Sequence, residues 1–422
     1  MSYSKKLIDF IDRSPSAYHT VENVKRELTA AGFTEISEGD VKAFSSGGSH
    51  FVVRNGTSVI AFRGKNKGGF MIASSHSDSP TFKVKGDKEG SGYLKLDVER
   101  YGGTINYTWL DRPLSVAGRA IVKEKGGISS RLVNIDKDYA VIPSVAIHMN
   151  RTVNESCSFN LAVDLLPIVS AEGSLLSDVA ENIGVGESDI ISHDLFLYNR
   201  EGGRLIGAKS EYILSPRLDD LECVYSSLEA FVSADESCES VAVLAVFDNE
   251  EVGSSTKQGA NSTFLKDTLK KIAGSDSVYY KMLENSFMVS ADNAHAKHPN
   301  HPEYSDSKAS TVLGGGVVIK YNASQRYATD AISDAIFRTI AEGAGAKVQS
   351  YVNRADLPGG STLGSIADTR VSIPTIDIGL PQLAMHSSSE TAAVSDIEDM
   401  VKALAKLFSS SLSKRSDGFD IK

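Results

Sequence analysis

Two rhythms of apolar and polar positions run through this chain, and its longest strongly β-branched run lies near the middle. Val241-Ala242-Val243-Leu244-Ala245-Val246-Phe247 has no polar break, is too short for a free-standing helix, and predicts a strand buried on both faces. Val59 to Phe62, Phe70 to Ala73, Phe287 to Ala291 and Thr375 to Ile378 predict further strands. Between them the spacing turns helical. Val21, Val24 and Leu28 share one face behind a Ser14-Pro15-Ser16 start, with Gly32 as the stop, and Ile332, Ala335, Ile336 and Ile340 mark another helix. Ile397, Met400, Val401, Leu404, Leu407 and Phe408 follow a capping-box pattern, Ser395-Asp396-Ile397-Glu398.

From about Lys88 to Tyr212 the texture changes. Short alternating runs such as Tyr93-Leu94-Lys95-Leu96-Asp97-Val98 are separated by turns at Gly102-Gly103, Gly126-Gly127 and Gly202-Gly203, which predicts a β-rich module inserted into an α/β chain. The expected division is 1–87 and 213–422 for the α/β part, with 88–212 as the insertion.

Several apolar runs end in metal-binding residue types. Phe70 to Ala73 leads to His76 and Asp78, Val241 to Phe247 leads to Glu250 and Glu251, and Phe287 to Ala291 leads to Asp292. Thr375 to Ile378 is followed by His386, and a further acid, Asp219, lies in Ser215-Pro216-Arg217-Leu218-Asp219-Asp220. Parallel strands of one sheet would gather these ends at one edge, where open α/β sheets hold their ligands. Each member alone has a plainer use: Glu250-Glu251 suits an exposed acidic turn, His386 a hydrogen-bonded histidine and Asp292 a helix cap.

Taken together they match a two-metal hydrolase. Imidazole and carboxylate suit zinc and its neighbours, and the lack of cysteine ligands suits an open catalytic site. Asp219 as a bridge, His76 and Asp292 on one ion, and Glu251 and His386 on the other satisfy a pair of ions about 3.5–4 Å apart. Three ligand carboxylates and an ionised Glu250 balance two dications. Glu250 is then the base acting on water, and Asp78 supports His76 from behind.

Composition narrows the partners. A net charge of −10 over 422 residues argues against nucleic acid, and no basic cluster overrides it. The start of the chain lacks the pattern of a signal peptide, and no stretch approaches a membrane span. Cys157, Cys223 and Cys238 form no C-x-x-C pattern, which fits a reducing, cytoplasmic setting.

The motifs His76-Ser77-Asp78-Ser79-Pro80, Ser215 to Asp219, Phe247 to Ser254, Ser290-Ala291-Asp292 with Ala294-His295 and His298-Pro299-Asn300, and Pro381 to Ser387 resemble, in order, those of the M18 metallopeptidases, the aspartyl aminopeptidase family. The resemblance implies a zinc-peptidase-like mixed sheet flanked by helices and interrupted by a β-rich oligomerisation domain. It implies two zinc ions on the ligands named above, Glu250 as general base, and release of N-terminal Asp or Glu from peptides by a tetrahedral homododecamer. It also implies that Lys320 meets the acidic side chain of the substrate, that Tyr327 and His295 contact the substrate, and that His148 reaches a neighbouring subunit's active site. Three features depart from the family pattern: Gly359 replaces a usual cysteine, Ser387-Ser388-Ser389-Glu390 replaces Ser-Ile-Arg-Glu, and Asp220 stands where Asn is common. The lost arginine weakens the expectation of acidic specificity. A related dinuclear aminopeptidase or amide deacylase of other specificity is the nearer alternative, and a catalytically silent assembly or trafficking module the remoter one.

Overall fold

Alternate residues of Val241–Phe247 face two separate cores, which is why the whole strand is apolar. Ala242, Leu244 and Val246 pack with Leu221, Leu404 and Phe408 on one side. Val241, Val243, Ala245 and Phe247 pack with Phe264, Leu269 and Leu363 on the other. Each large apolar side chain buried in this way contributes about 1.5–3 kcal/mol. The computed structural model describes residues 2–64, 68–235, 239–357 and 359–422, so Cys238 and Pro358 lie outside the described residues.

The strand sits inside a nine-stranded mixed sheet. It runs parallel to Phe70–His76, with Phe247 opposite His76, and that strand is parallel to Phe287–Ala291, which is parallel to Thr375–Gly379. Their carboxyl ends therefore share one edge. Val317–Tyr321 and Val348–Val352 extend the sheet beyond Thr375–Gly379, while Ser58–Arg63, His50–Arg54 and Thr34–Glu35 extend it beyond Val241–Phe247.

The helices mostly follow the predicted periodicity. Ala17–Ala30 ends with Gly32 at φ 88°, where Gly32 N–H donates to Thr29 O and Phe33 N–H donates to Leu28 O, closing the helix in a Schellman turn. One expectation needs correction. Ser395 does not cap the last helix, which starts at Val394 directly after the strand Glu390–Ala393; Asp396 instead accepts from Gly314 and Gly316 N–H. In Ala331–Gly343 the buried face is Ser333, Ile336, Phe337, Ile340 and Ala341, while Ile332 and Ala335 are exposed. Asp330 makes a true capping box there and sets the helix phase.

A six-stranded antiparallel sheet is built from Gly127–Asn134, Leu114–Glu124, Ile190–Asn199, Thr81–Gly90, Tyr93–Tyr101 and Ile168–Ser170, in that order. Phe82, Leu96, Val116, Leu195 and Leu197 form its own core. A five-stranded sheet, which includes Ala294–His295 and Pro381–Leu383, lies along the chain segments that follow the main sheet's edge. Among the described residues no helix is long and apolar enough to cross a membrane.

Candidate metal centre

His76 is the last residue of its strand and is 1% exposed. Its Nδ1 lies 3.0 Å from the carbonyl oxygen of Asp78, which can only accept, so Nδ1 keeps its proton and Nε2 is the nitrogen that can give one up to become a ligand. That Nε2 faces Asp219 Oδ1 at 3.4 Å and Asp292 Oδ1 at 3.9 Å. The other Asp219 oxygen, Oδ2, lies 3.4 Å from His386 Nε2, which is also 3.6 Å from Glu251 Oε2. His386 Nδ1 is turned to Gly103 O at 3.1 Å, so this ring too offers Nε2.

Local backbone geometry places these groups. Asp219 and Asp220 leave helical φ/ψ at the start of Leu218–Ser233, and their shared peptide bond is cis. Glu250 and Glu251 form a short 3-10 turn after Asn249 at φ 62°. The Asp78 carboxylate gathers this turn, accepting from Glu250 N–H and Glu251 N–H at 3.2 Å each and from Tyr101 O–H at 2.6 Å. Ligand atoms of His76, Glu250 and Glu251 all lie within 4.8 Å of one another, as do those of Asp219, Glu251 and His386, and those of His76, Asp219, Asp220 and Asp292.

The electrostatics call for cations. Burial, with help from Asp219, pushes the Glu251 carboxyl well above the usual carboxylate range. Burial likewise pushes Asp292 up to about 6 against the opposing charges of Lys320 and His76, and Glu250 up to about 8 with the charges of Asp292 and Asp78 adding to it. Asp219 goes the other way: burial opposes ionisation, but His386 and His76 hold it well below the usual range. Among the described residues the only Lys or Arg in ion-pair range of these carboxylates is Lys320, 3.9 Å from Asp292. Asp219 Oδ1, Asp220 Oδ1 and Glu251 Oε1 are buried with no hydrogen-bond partner. Orphaned carboxylate oxygens beside imidazole nitrogens are the donor set of a zinc-type site, so these residues fit a bound metal.

The remaining candidates lie in different surroundings. Lys320, 2% exposed, donates to the carbonyls of Asp292 at 2.7 Å and Asn293 at 3.2 Å, and its Nζ sits 5.3 Å from the Tyr327 ring centroid. Tyr327 is buried. His295 keeps an open face to solvent, yet the protein around it and the Lys320 charge hold its imidazole below the usual range. His148 is exposed, flanked by exposed Val145, Ile147 and Met149, and shares no hydrogen bond or ion pair with the described residues of the centre. Sequence reasoning missed two groups. Asp220, fully buried, accepts from His76 N–H at 3.0 Å, and the adjacent acid pair was its only signal. Glu390 accepts from His386 N–H at 2.6 Å and Asp219 N–H at 3.0 Å, tying two candidate ligands together.

Comparison with known proteins gives a consistent assignment. The model of the family described as aminopeptidase I zinc metalloprotease (M18) matches residues 10–408. A Clostridium acetobutylicum protein named "Probable M18 family aminopeptidase 2" is 43% identical over 416 residues, covering 94% of this chain and 96% of that one. A solved structure of Ape4 in complex with Nbr1 superposes with a TM-score of 0.93 at 35% identity, covering 96% of this chain and 85% of that one. The dodecamer of mApe1 from S. cerevesiae gives 0.84 at 29% identity, covering 96% of both chains.

Proposed function

We propose that this chain, which belongs to the M18 family of metallopeptidases, is a dinuclear zinc aminopeptidase that releases Asp or Glu from the N-termini of peptides. Hydrolysis from the peptide N-terminus by a metalloaminopeptidase comes with membership of the family. The observation that carries the dinuclear reading is the split of the Asp219 carboxylate, with one oxygen 3.4 Å from His76 Nε2 and the other 3.4 Å from His386 Nε2. His76 and Asp292 would hold one ion, Glu251 and His386 the other, and Asp219 both.

When bound, the ions supply Lewis acidity at the scissile carbonyl and lower the pKa of the attacking water. Glu250 takes the proton of that water on its carboxylate and returns it to the leaving amine. Asp78 fixes the Glu250 and Glu251 backbone and holds the His76 ring in the tautomer that presents Nε2. Lys320, Tyr327 and His295 line the substrate side in this reading.

Residues 88–212 are read as an oligomerisation domain between catalytic parts 1–87 and 213–422, and the assembly as a tetrahedral homododecamer. The dodecamer of the yeast relative and the exposed apolar side chains around His148 support this, and His148 would serve a neighbouring subunit's site. A cytoplasmic location belongs to the same reading, supported by the free thiols Cys157 and Cys223.

One observation favours a second reading, a dinuclear aminopeptidase of non-acidic specificity: the Lys320 ammonium is already engaged by two backbone carbonyls. Turnover of peptides beginning with Asp, Glu, Leu and Lys separates the two, and a preference for Leu discards the acidic pocket. Hydrolysis lost on chelation and restored by zinc, with two ions per subunit by metal analysis, is expected. One ion at full activity would overturn the dinuclear reading.

A further inference from the structure

The six-stranded sheet does more than stand beside the metal centre. Its strand Tyr93–Tyr101 leads into a segment, Tyr101 to Thr108, that lies against the candidate ligands Glu251 and His386. Tyr101 O–H donates to Asp78 Oδ2 at 2.6 Å and accepts from Asn249 Nδ2 at 2.9 Å, so both sides of the hydroxyl are used. Gly103 O accepts a hydrogen bond from His386 Nδ1–H at 3.1 Å. Ile105 N–H donates to His386 O at 3.0 Å, and Thr108 Oγ1 accepts from Ser388 N–H at 2.9 Å. Asn199, at the end of another strand of the same sheet, donates to Ser388 O at 2.9 Å.

The two glycines in this segment are needed for closeness. A Cβ on Gly102, which has φ +73°, would lie 3.1 Å from Glu251 Cβ and 3.3 Å from its Oε2. A Cβ on Gly103 would lie 3.2 Å from His386 Nδ1. The backbone thus lies against two candidate ligands, and a Cβ at either glycine would push the ligand beside it out of place by a few tenths of an ångström.

We propose that Tyr101 to Thr108 is a positioning strap for the metal centre, so that the six-stranded sheet sets the geometry of ligands that the other sheets carry. Tyr101 acts through Asp78, which in turn holds the His76 ring and the N–H groups of Glu250 and Glu251. Gly103 acts on His386 directly, fixing the tautomer that offers Nε2. Neither residue touches substrate, and both are positioning residues. The inference rests on the metal reading above and goes beyond it, because it makes metal affinity a property of both sheets.

Tyr101→Phe tests it, since the ring and its edge-on packing against Phe196 are retained and only the hydroxyl is lost. Zinc affinity is measured by chelator competition, together with the melting temperature of the metal-free protein and the subunit assembly. Loss of such a supporting hydrogen bond weakens metal affinity about 10-fold or more, and here it should do so with metal-free melting and assembly unchanged. Thr108→Val, which removes the acceptor for Ser388 N–H, should weaken zinc in the same direction and serves if Tyr101→Phe does not fold. His386→Ala is the control for the site itself. If His386→Ala loses zinc while both strap variants bind it as the wild type does, the strap is wrong and the metal reading stands. If His386→Ala binds zinc at wild-type affinity, the metal reading fails first.

Discussion

The chain treats two clusters of charge in opposite ways, one partly exposed around Asp194 and one buried around Asp219. Around Asp194 it supplies its own counter-charges: Lys83 reaches Oδ1 at 3.1 Å, Arg119 reaches Oδ2 at 3.0 Å, and Tyr18 O–H adds a third donor at 3.1 Å. Burial would raise this carboxyl, but Lys83 and Arg119 overcome it and hold Asp194 below the usual range. At Glu251, Asp292 and Glu250 burial wins, and the carboxyls are pushed up. The same sequence that pairs Asp194 with its own cations sets only Lys320, among its described lysines and arginines, in ion-pair range of Glu251, Asp292 and Glu250. With imidazole nitrogens and orphaned carboxylate oxygens beside it, that shortfall suits a site that takes its cations from outside.

The sharpest way to break this contrast is at Glu250, the acid assigned to chemistry rather than to ligation. Glu250→Gln should keep the metal content and fold yet lower kcat by about 10²–10⁴-fold, the range of a lost general base. Steady-state kinetics with metal analysis on the same sample checks it, and full turnover removes Glu250 from the mechanism.

Metal removal comes next. At free metal a thousandfold above its dissociation constant, binding stabilises the fold by about 4 kcal/mol. This stabilisation should depend on pH with a definite sign. Asp292 and Glu250 have folded values of about 6 and about 8, above the roughly 4 of an unfolded carboxyl. Raised acids stabilise the metal-free fold at low pH and lose that contribution as pH rises through their folded values. Bound cations displace those protons, so the gap between loaded and metal-free melting temperatures should widen from pH 6 to pH 8. A gap that narrows over that window would place the protons elsewhere.

How much of this was legible beforehand depended on the range of the interaction. Val241–Phe247 and its parallel neighbours announce themselves because burial on both faces forces an unbroken apolar run, and the acids at their ends are adjacent in sequence. Short strands such as Ala294–His295 carry no such pattern. The misplaced cap at Ser395 failed because Asp396 is claimed by Gly314 and Gly316, some 80 residues away in the chain. Ile332 kept helical spacing but sits at 54% exposure, since the capping box of Asp330 turns Phe337 inward instead. Tyr101 and Gly103 act only through partners distant in sequence, and Glu390 gains its role by joining nearby His386 to Asp219, 171 residues away, a link that no local pattern announces.

The smallest expected effect tests the other half of the contrast. Asp194→Asn keeps the shape but leaves one acceptor oxygen where Lys83 uses Oδ1 and Tyr18 and Arg119 use Oδ2, and it removes the charge that Lys83 and Arg119 share. Its side chain is 30% exposed, so solvent screens part of the loss, and the variant should be about 1–2 kcal/mol less stable at pH 7. Because the folded Asp194 lies below its unfolded value, its contribution is complete above that unfolded value, roughly pH 4, and is lost as pH falls through the folded one. The two proteins should therefore converge in acid, the reverse of the trend at the metal-free centre. Urea unfolding across pH 3 to pH 7 measures this, and an Asn variant as stable as wild type at pH 7 would show that Lys83 and Arg119 gain nothing from Asp194.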